Sequence, residues 1–175
     1  EPMLLAHSPD GIAALRVATL ADPLRVLVSG CIAGWQCGVD GTDYGMSGKL
    51  SDFFALPTMR VIPFCPEQHA LGTPRTMPDI HGGDGHDVLD GKARVLDEKG
   101  LDLTEKMVAG ANAMLAEAVA QRVELAMLTD TSGACGSQVI SDGCRFDVPR
   151  LYQIGVGVAT ALLLRHGIPV VSQRD

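Results

Sequence analysis

The chain has 175 residues, 46% of them hydrophobic, and this size and composition predict one domain with a substantial core. Its formal net charge of −7 argues against a DNA-binding surface, since binding to the phosphate backbone needs clustered lysine and arginine. No apolar run approaches the roughly 18 residues of a membrane span, and the first residues do not have the basic start and apolar centre of a signal peptide. We therefore expect a cytoplasmic protein with no DNA or membrane partner.

The first part of the chain contains a predicted strand that ends at a cysteine. Residues 1–22 predict an arm or a short helix ahead of one domain that spans residues 23–175. The domain opens with the apolar run Leu24–Ser29, which predicts a β-strand, and Cys31 follows that run after a single glycine. A turn-rich loop comes next.

A second predicted strand also ends at a cysteine. Residues Ser51–Leu56 predict a short helix, and Arg60–Phe64 predict a strand that runs directly into Cys65. The glycine-rich stretch over residues 80–96 matches neither a phosphate-binding loop nor an EF-hand, and we expect a structured excursion or hairpin beside the site.

The second half of the chain repeats the arrangement a third time. Apolar residues at helical spacing predict a helix over Thr104–Arg122, with Thr104 as its N-cap. A strand at about residues 124–129 leads into the loop Asp130–Ser137, which contains Cys135. A helix over Tyr152–His166 and a last strand over Ile168–Ser172 complete the predicted elements.

These elements predict an α/β fold, a Rossmann-like three-layer sandwich with a mostly parallel sheet. The loops that carry Cys31, Cys65 and Cys135 then lie at the carboxyl ends of the strands, where open α/β sheets bind their ligands. The five cysteines are odd in number and include no CxxC pair, so a disulfide framework is not expected. Some could be ordinary buried thiols, and we assign Cys144 to that group.

Three converging thiols leave several kinds of chemistry open. They could hold an iron–sulfur cluster, in which three ligands leave one iron open as a Lewis acid. Cys37 is a candidate fourth ligand of such a cluster. They could hold zinc with a bound water, although zinc sites usually take two ligands from one closely spaced pair. One of them could be a nucleophile, but no partner base is evident from the spacing.

Other residues near these cysteines are candidates for binding or catalysis. Glu67 lies two residues after Cys65 and is a candidate general base. Arg75 could bind an acidic group, and Trp35 could stack on a flat substrate. Each of them could equally be an ordinary loop residue.

A set of ordered motifs resembles the DUF523 family, whose characterised members are thiouracil desulfidases. The resemblance covers about residues 24–174, and the motifs that carry it are Val28–Gly34, Asp40–Gly41, Pro63–Glu67, Thr73–Arg75, Gly82–Gly85, Val88–Arg94, Ser132–Ser137 and Thr160–Ile168. The chain departs from the family pattern at Gly38 and Val39, where an Arg-Tyr pair is common, and at Gly133 and Ala134, where a Pro and a Ser are common.

The resemblance implies a [4Fe-4S] cluster bound by three cysteines, which correspond to Cys31, Cys65 and Cys135. It also implies two catalytic residues, Glu67 and Ser132. The reaction we expect is a hydrolytic desulfuration without net redox. The substrate sulfur binds the open iron, Glu67 deprotonates a water, and the products are uracil (or uridine) compounds and hydrosulfide.

The expected substrate is a small thiolated pyrimidine, as the base, the nucleoside or the nucleotide, and intact RNA is not expected. The alternative from another class is a non-catalytic iron–sulfur or zinc module that binds or senses sulfur. Turnover of a thiolated pyrimidine distinguishes the two.

Overall fold

A four-stranded parallel sheet forms the centre of the computed structural model, which describes residues 14–46 and 50–174. Its strands are β1 (Leu24–Ser29), β2 (Met59–Phe64), β5 (Leu125–Leu128) and β8 (Val170–Ser172), in the spatial order β2-β1-β5-β8. All three neighbouring pairs are parallel, and Leu27 lies opposite both Ile62 and Ala126. The predicted α/β fold with a parallel sheet is confirmed.

The alternation of side chains along the strands gives the sheet two apolar faces. Leu27 and Leu128 point to the larger core, which is covered by α2 (Pro66–Leu71), α4 (Thr104–Ala120) and α5 (Val158–Arg165). Val26 and Val28 point to the opposite face, which is covered by the single turn α1 (Ser51–Phe54) and by the loop after β1. The third layer of the predicted sandwich is therefore thin.

Helix α4 packs on the sheet through small and flexible apolar side chains. Met107, Ala111, Met114 and Ala118 are almost completely buried and recur at the spacing of one helix face. The prediction of Thr104 as N-cap is wrong by one residue, because Leu103 is the cap and Thr104 is the first helical residue. Its hydroxyl instead accepts the Val95 N–H at 2.9 Å, outside the helix.

The segment predicted as a helix over residues 152–166 begins as a strand. β6 (Val139–Ser141) pairs with β7 (Tyr152–Ile154) in an antiparallel hairpin, and α5 starts only at Val158. Gly157 separates β7 from α5, and its N–H donates to the Gly136 carbonyl at 2.8 Å. A Cβ on Gly157 would collide with the backbone at Ala134, so the close approach requires glycine.

The excursion predicted for residues 80–96 is confirmed as a hairpin beside the sheet. β3 (Asp79–His81) pairs with β4 (Arg94–Leu96), and α3 (Gly85–Leu89) lies between them. The described part of the N-terminal segment, residues 14–22, contains no helix or strand, whereas residues 1–13 lie outside the described residues. Within the described ranges no helix is long and apolar enough to cross a membrane.

Candidate active site

Three loops at the carboxyl edge of the sheet enclose one cavity of about 330 Å³. The thiols of Cys31, Cys65 and Cys135 all line it, one from the loop after each of β1, β2 and β5. Cys37, from the first of these loops, lines the same cavity. The predicted convergence of three distant cysteines is therefore present in the fold.

Hydrogen bonds orient the thiols of Cys31 and Cys65. The Cys31 Sγ lies 2.9 Å from the Thr129 hydroxyl, and the Cys65 Sγ accepts the Gln68 N–H at 3.3 Å as the N-cap of α2. Hydrogen bonding with the Cys37 thiol is the largest cause that lowers the pKa of Cys31, to about 7, and it also lowers the pKa of Cys65. The same two contacts raise the pKa of Cys37, which is 1% exposed.

The third thiol belongs to Cys135, which is buried. Burial raises the pKa of Cys135 well above its usual value. Its loop is organised by the buried Asp130, whose Oδ1 accepts the backbone N–H groups of Ser137, Gln138 and Val139 at 3.1, 3.2 and 3.4 Å. A role for Asp130 was not predicted, because nothing in the local pattern shows that one carboxylate will bind three amides.

Glu67 and Ser132 both line the cavity and contact each other. Glu67 is 8% exposed, and its Oε1 accepts the Ser132 hydroxyl at 3.2 Å. The Ser132 Oγ also accepts the N–H groups of Ala134 and Cys135 at 3.2 and 3.1 Å. Because these two amides occupy its lone pairs, the hydroxyl proton is left for Glu67. The two predicted catalytic residues, 65 positions apart, are thus hydrogen-bonded partners.

Arg75, a candidate for binding an acidic group, forms an ion pair with Glu67 inside the protein. Its Nη2 and Nε both donate to the Glu67 Oε2, at 2.8 and 3.2 Å. The two side chains are 5% and 10% exposed, so the ion pair is buried. Arg75 also lines the cavity.

Three more arginines and a tyrosine line the cavity and were not predicted. Arg145 pairs with the buried Asp79 at 2.7 Å, and Arg174 lies 3.5 Å from Asp130. Arg150 and Tyr44 also line the wall. These residues are spread over the chain, so no local motif could have identified them.

Two other residues considered from the sequence, Trp35 and Cys144, do not line the cavity. Trp35 packs against Gly30, where an added Cβ would lie 2.8 Å from the indole, and it is not among the cavity-lining residues. Cys144 is half-buried and also lies outside the cavity lining, which agrees with its assignment as an incidental thiol. Within residues 14–46 and 50–174, no three or more His, Cys, Asp or Glu side chains form a group arranged to hold a metal ion.

Comparisons with known proteins show the family to which the chain belongs. The family model described as 2-thiouracil desulfurase matches residues 26–175. The uncharacterized protein YbbK of Bacillus subtilis (strain 168) is 33% identical over 151 residues, which cover 86% of this chain and 96% of YbbK. The solved structure of the [4Fe-4S]-dependent thiouracil desulfidase TudS is 34% identical, with a TM-score of 0.71 over 86% of this chain and 91% of that one. The chain therefore belongs to the 2-thiouracil desulfurase family, as its motifs predict.

Proposed function

We propose that this protein is a desulfidase that binds a [4Fe-4S] cluster through Cys31, Cys65 and Cys135 and hydrolyses the C–S bond of a thiolated pyrimidine. The enzyme class follows from its membership of the family. The observation that carries the finer proposal is that three thiols from three strand ends share one cavity with the Glu67 carboxylate and the Ser132 hydroxyl.

The donor set suits an iron–sulfur cluster. Cysteine thiolates are the usual ligands of such clusters, and each thiolate binds a different iron. The three thiols therefore do not need to converge on one ion, and within the described residues they form no group that could hold a single metal ion. With three protein ligands, the bound cluster supplies one open iron, a Lewis acid for the sulfur of the substrate.

Glu67 supplies the base for the hydrolytic step. Arg75 and Ser132 hold its two carboxylate oxygens, and the carboxylate faces the cavity. Glu67 takes a proton from water, and the water oxygen forms a bond with the ring carbon that carries the sulfur. The C–S bond then breaks with both electrons on sulfur, so one water is consumed, one hydrosulfide is released and no net oxidation occurs.

Ser132 positions this base through its hydrogen bonds. Two backbone amides hold its oxygen, and its proton points to the Glu67 Oε1. The same hydroxyl shapes the turn that presents Cys135. Ser132 therefore links the geometry of the third cluster ligand to the orientation of the base.

The expected substrate is a small thiolated pyrimidine, as the base, nucleoside or nucleotide. The cavity of about 330 Å³ lies within the usual range of small-molecule sites, roughly 300–1,000 Å³. We also propose a cytoplasmic location, because an odd number of cysteines without a CxxC pair favours a reducing compartment.

Metal analysis of protein purified without oxygen tests the cofactor. We expect about four irons and four sulfides per chain, with the visible absorption of a [4Fe-4S] cluster. Zinc without iron, both before and after reconstitution, would contradict the cluster and leave a zinc module instead. A full cluster that binds thiouracil without converting it would support a sulfur-binding or sensing module.

A further inference from the structure

The guanidinium of Arg75 makes most of its hydrogen bonds within the protein. Its Nε and Nη2 donate to the Glu67 Oε2, and its Nη1 donates to the Gly72 carbonyl and to the Thr73 hydroxyl, both at 3.1 Å. Four of its five N–H groups are therefore engaged, which leaves one for any other partner. The side chain is 5% exposed.

The contacts on Glu67 fix the rotation of its carboxylate. One oxygen, Oε2, accepts two N–H groups from Arg75, and the other, Oε1, accepts the Ser132 hydroxyl. Rotation of the carboxylate out of its observed plane would break all three hydrogen bonds. Since charge-assisted bonds to arginine are the strongest of these, Arg75 contributes most to this orientation.

The backbone of Arg75 connects the base to another loop of the site. Its N–H donates to the Val39 carbonyl at 3.0 Å, in the loop that follows Cys31. Glu67 is in the first turn of α2, directly after Cys65, and Ser132 is in the loop after β5. Arg75 therefore holds the carboxylate in a frame that includes the loops of all three cysteines.

We propose that Arg75 is a positioning residue, which acts through Glu67 and orients the Oε1 toward the attacking water. This inference rests on the function proposed above. Arg75 does not contact the reacting atoms directly, and it is not the main group that binds the substrate. Removal of its side chain should therefore reduce kcat and leave KM unchanged.

The test compares the variants Arg75→Met and Arg75→Lys with the wild-type protein, each loaded with the cluster. Misplacement of a catalytic group by about 1 Å can cost about 100-fold in rate, and we expect a loss of that size in kcat for Arg75→Met. Arg75→Lys keeps one cation near Glu67 and should recover part of the loss. Added guanidinium ion should also restore part of the kcat of Arg75→Met.

Measurements other than turnover separate positioning from folding. Iron and sulfide content should be the same in both variants and in wild type. Arg16→Met is the matched control, since it removes an arginine that pairs with Glu124 at 2.6 Å, next to the start of β5 and far from the cavity. It should change stability without changing kcat.

The outcomes distinguish this inference from the proposed function. Normal kcat in Arg75→Met, or an increase in KM with unchanged kcat, would overturn the positioning role while wild-type turnover upholds the desulfidase. If Arg75→Met does not fold, Arg75→Lys provides the test, and a wild-type kcat with an increased KM in that variant would overturn the positioning role. A fully loaded wild-type protein that does not turn over would overturn both proposals.

Discussion

Replacement of Glu67 by glutamine tests the proposed base with the smallest change of shape. The amide carbonyl can take the place of Oε2 and keep both hydrogen bonds from Arg75, but the negative charge that pairs with the buried guanidinium is lost. The amide nitrogen then faces the Ser132 oxygen, whose lone pairs already accept two backbone N–H groups. The new amide N–H therefore has no acceptor at Ser132, and the Ser132 hydroxyl proton no longer has the carboxylate oxygen as its acceptor.

The structure sets the size of both effects. Breaking a buried ion pair costs about 3–5 kcal/mol of unfolding free energy, and each of the two retained hydrogen bonds from Arg75 reduces this by about 1 kcal/mol, so we expect a loss of roughly 1–3 kcal/mol. General-base catalysis contributes about 100- to 10,000-fold, which corresponds to about 2.7–5.5 kcal/mol of activation free energy. Glu67→Gln should therefore keep its cluster and lose most of its kcat.

The assay follows hydrosulfide release from 2-thiouracil by cluster-loaded protein, with urea unfolding of each variant measured in parallel. Glu124→Gln is a suitable control, because Glu124 also pairs with arginines, Arg16 and Arg25, but lies just before β5, far from the cavity. It should lose stability and keep its kcat. A cluster-loaded Glu67→Gln protein with a near-normal kcat would refute the assignment of the base.

Three further changes test the arrangement around the cysteines. In metal analysis, Cys135→Ser should lose most of its iron, whereas Cys37→Ala should keep about four irons per chain. Equal loss of iron in both variants would show that Cys37 is a ligand. Asp130→Ala leaves three backbone N–H groups without their acceptor and should cost about 3 kcal/mol in urea unfolding, whereas Asp130→Asn keeps the acceptor oxygen and should cost less. Equal stability of the two Asp130 variants would contradict the role of that oxygen. Gly157→Ala should also destabilise the fold, because its Cβ would collide with the backbone of the Cys135 loop at Ala134, and an unchanged unfolding midpoint would count against that contact.

The sequence predicts those parts of the structure that depend on local pattern. Apolar runs that end at a cysteine predict β1, β2 and β5, and the parallel order of these strands brings Cys31, Cys65 and Cys135 to one edge. The motif resemblance predicts the family, which the family model and the solved structure confirm. The ligand set and the catalytic roles remain proposals.

Contacts between distant residues could not be predicted in the same way. The helix expected from residue 152 starts at Val158, because Gly157 packs against the Cys135 loop and the residues before it pair as a strand. The partner of Arg75 proved to be Glu67, since burial of the arginine requires a compensating charge. The start of α5 and the partner of Arg75 depend on contacts in the packed fold, and these contacts leave no periodic signal in the sequence.

The sharpest test of hydrolytic desulfuration is the conversion of 2-thiouracil in ¹⁸O-labelled water, by cluster-loaded protein without any added reductant. We expect uracil with one ¹⁸O at the carbon that carried sulfur, and one hydrosulfide for each uracil. A requirement for a reductant, uracil without the label, or no conversion by protein with a full cluster would contradict a hydrolytic desulfidase.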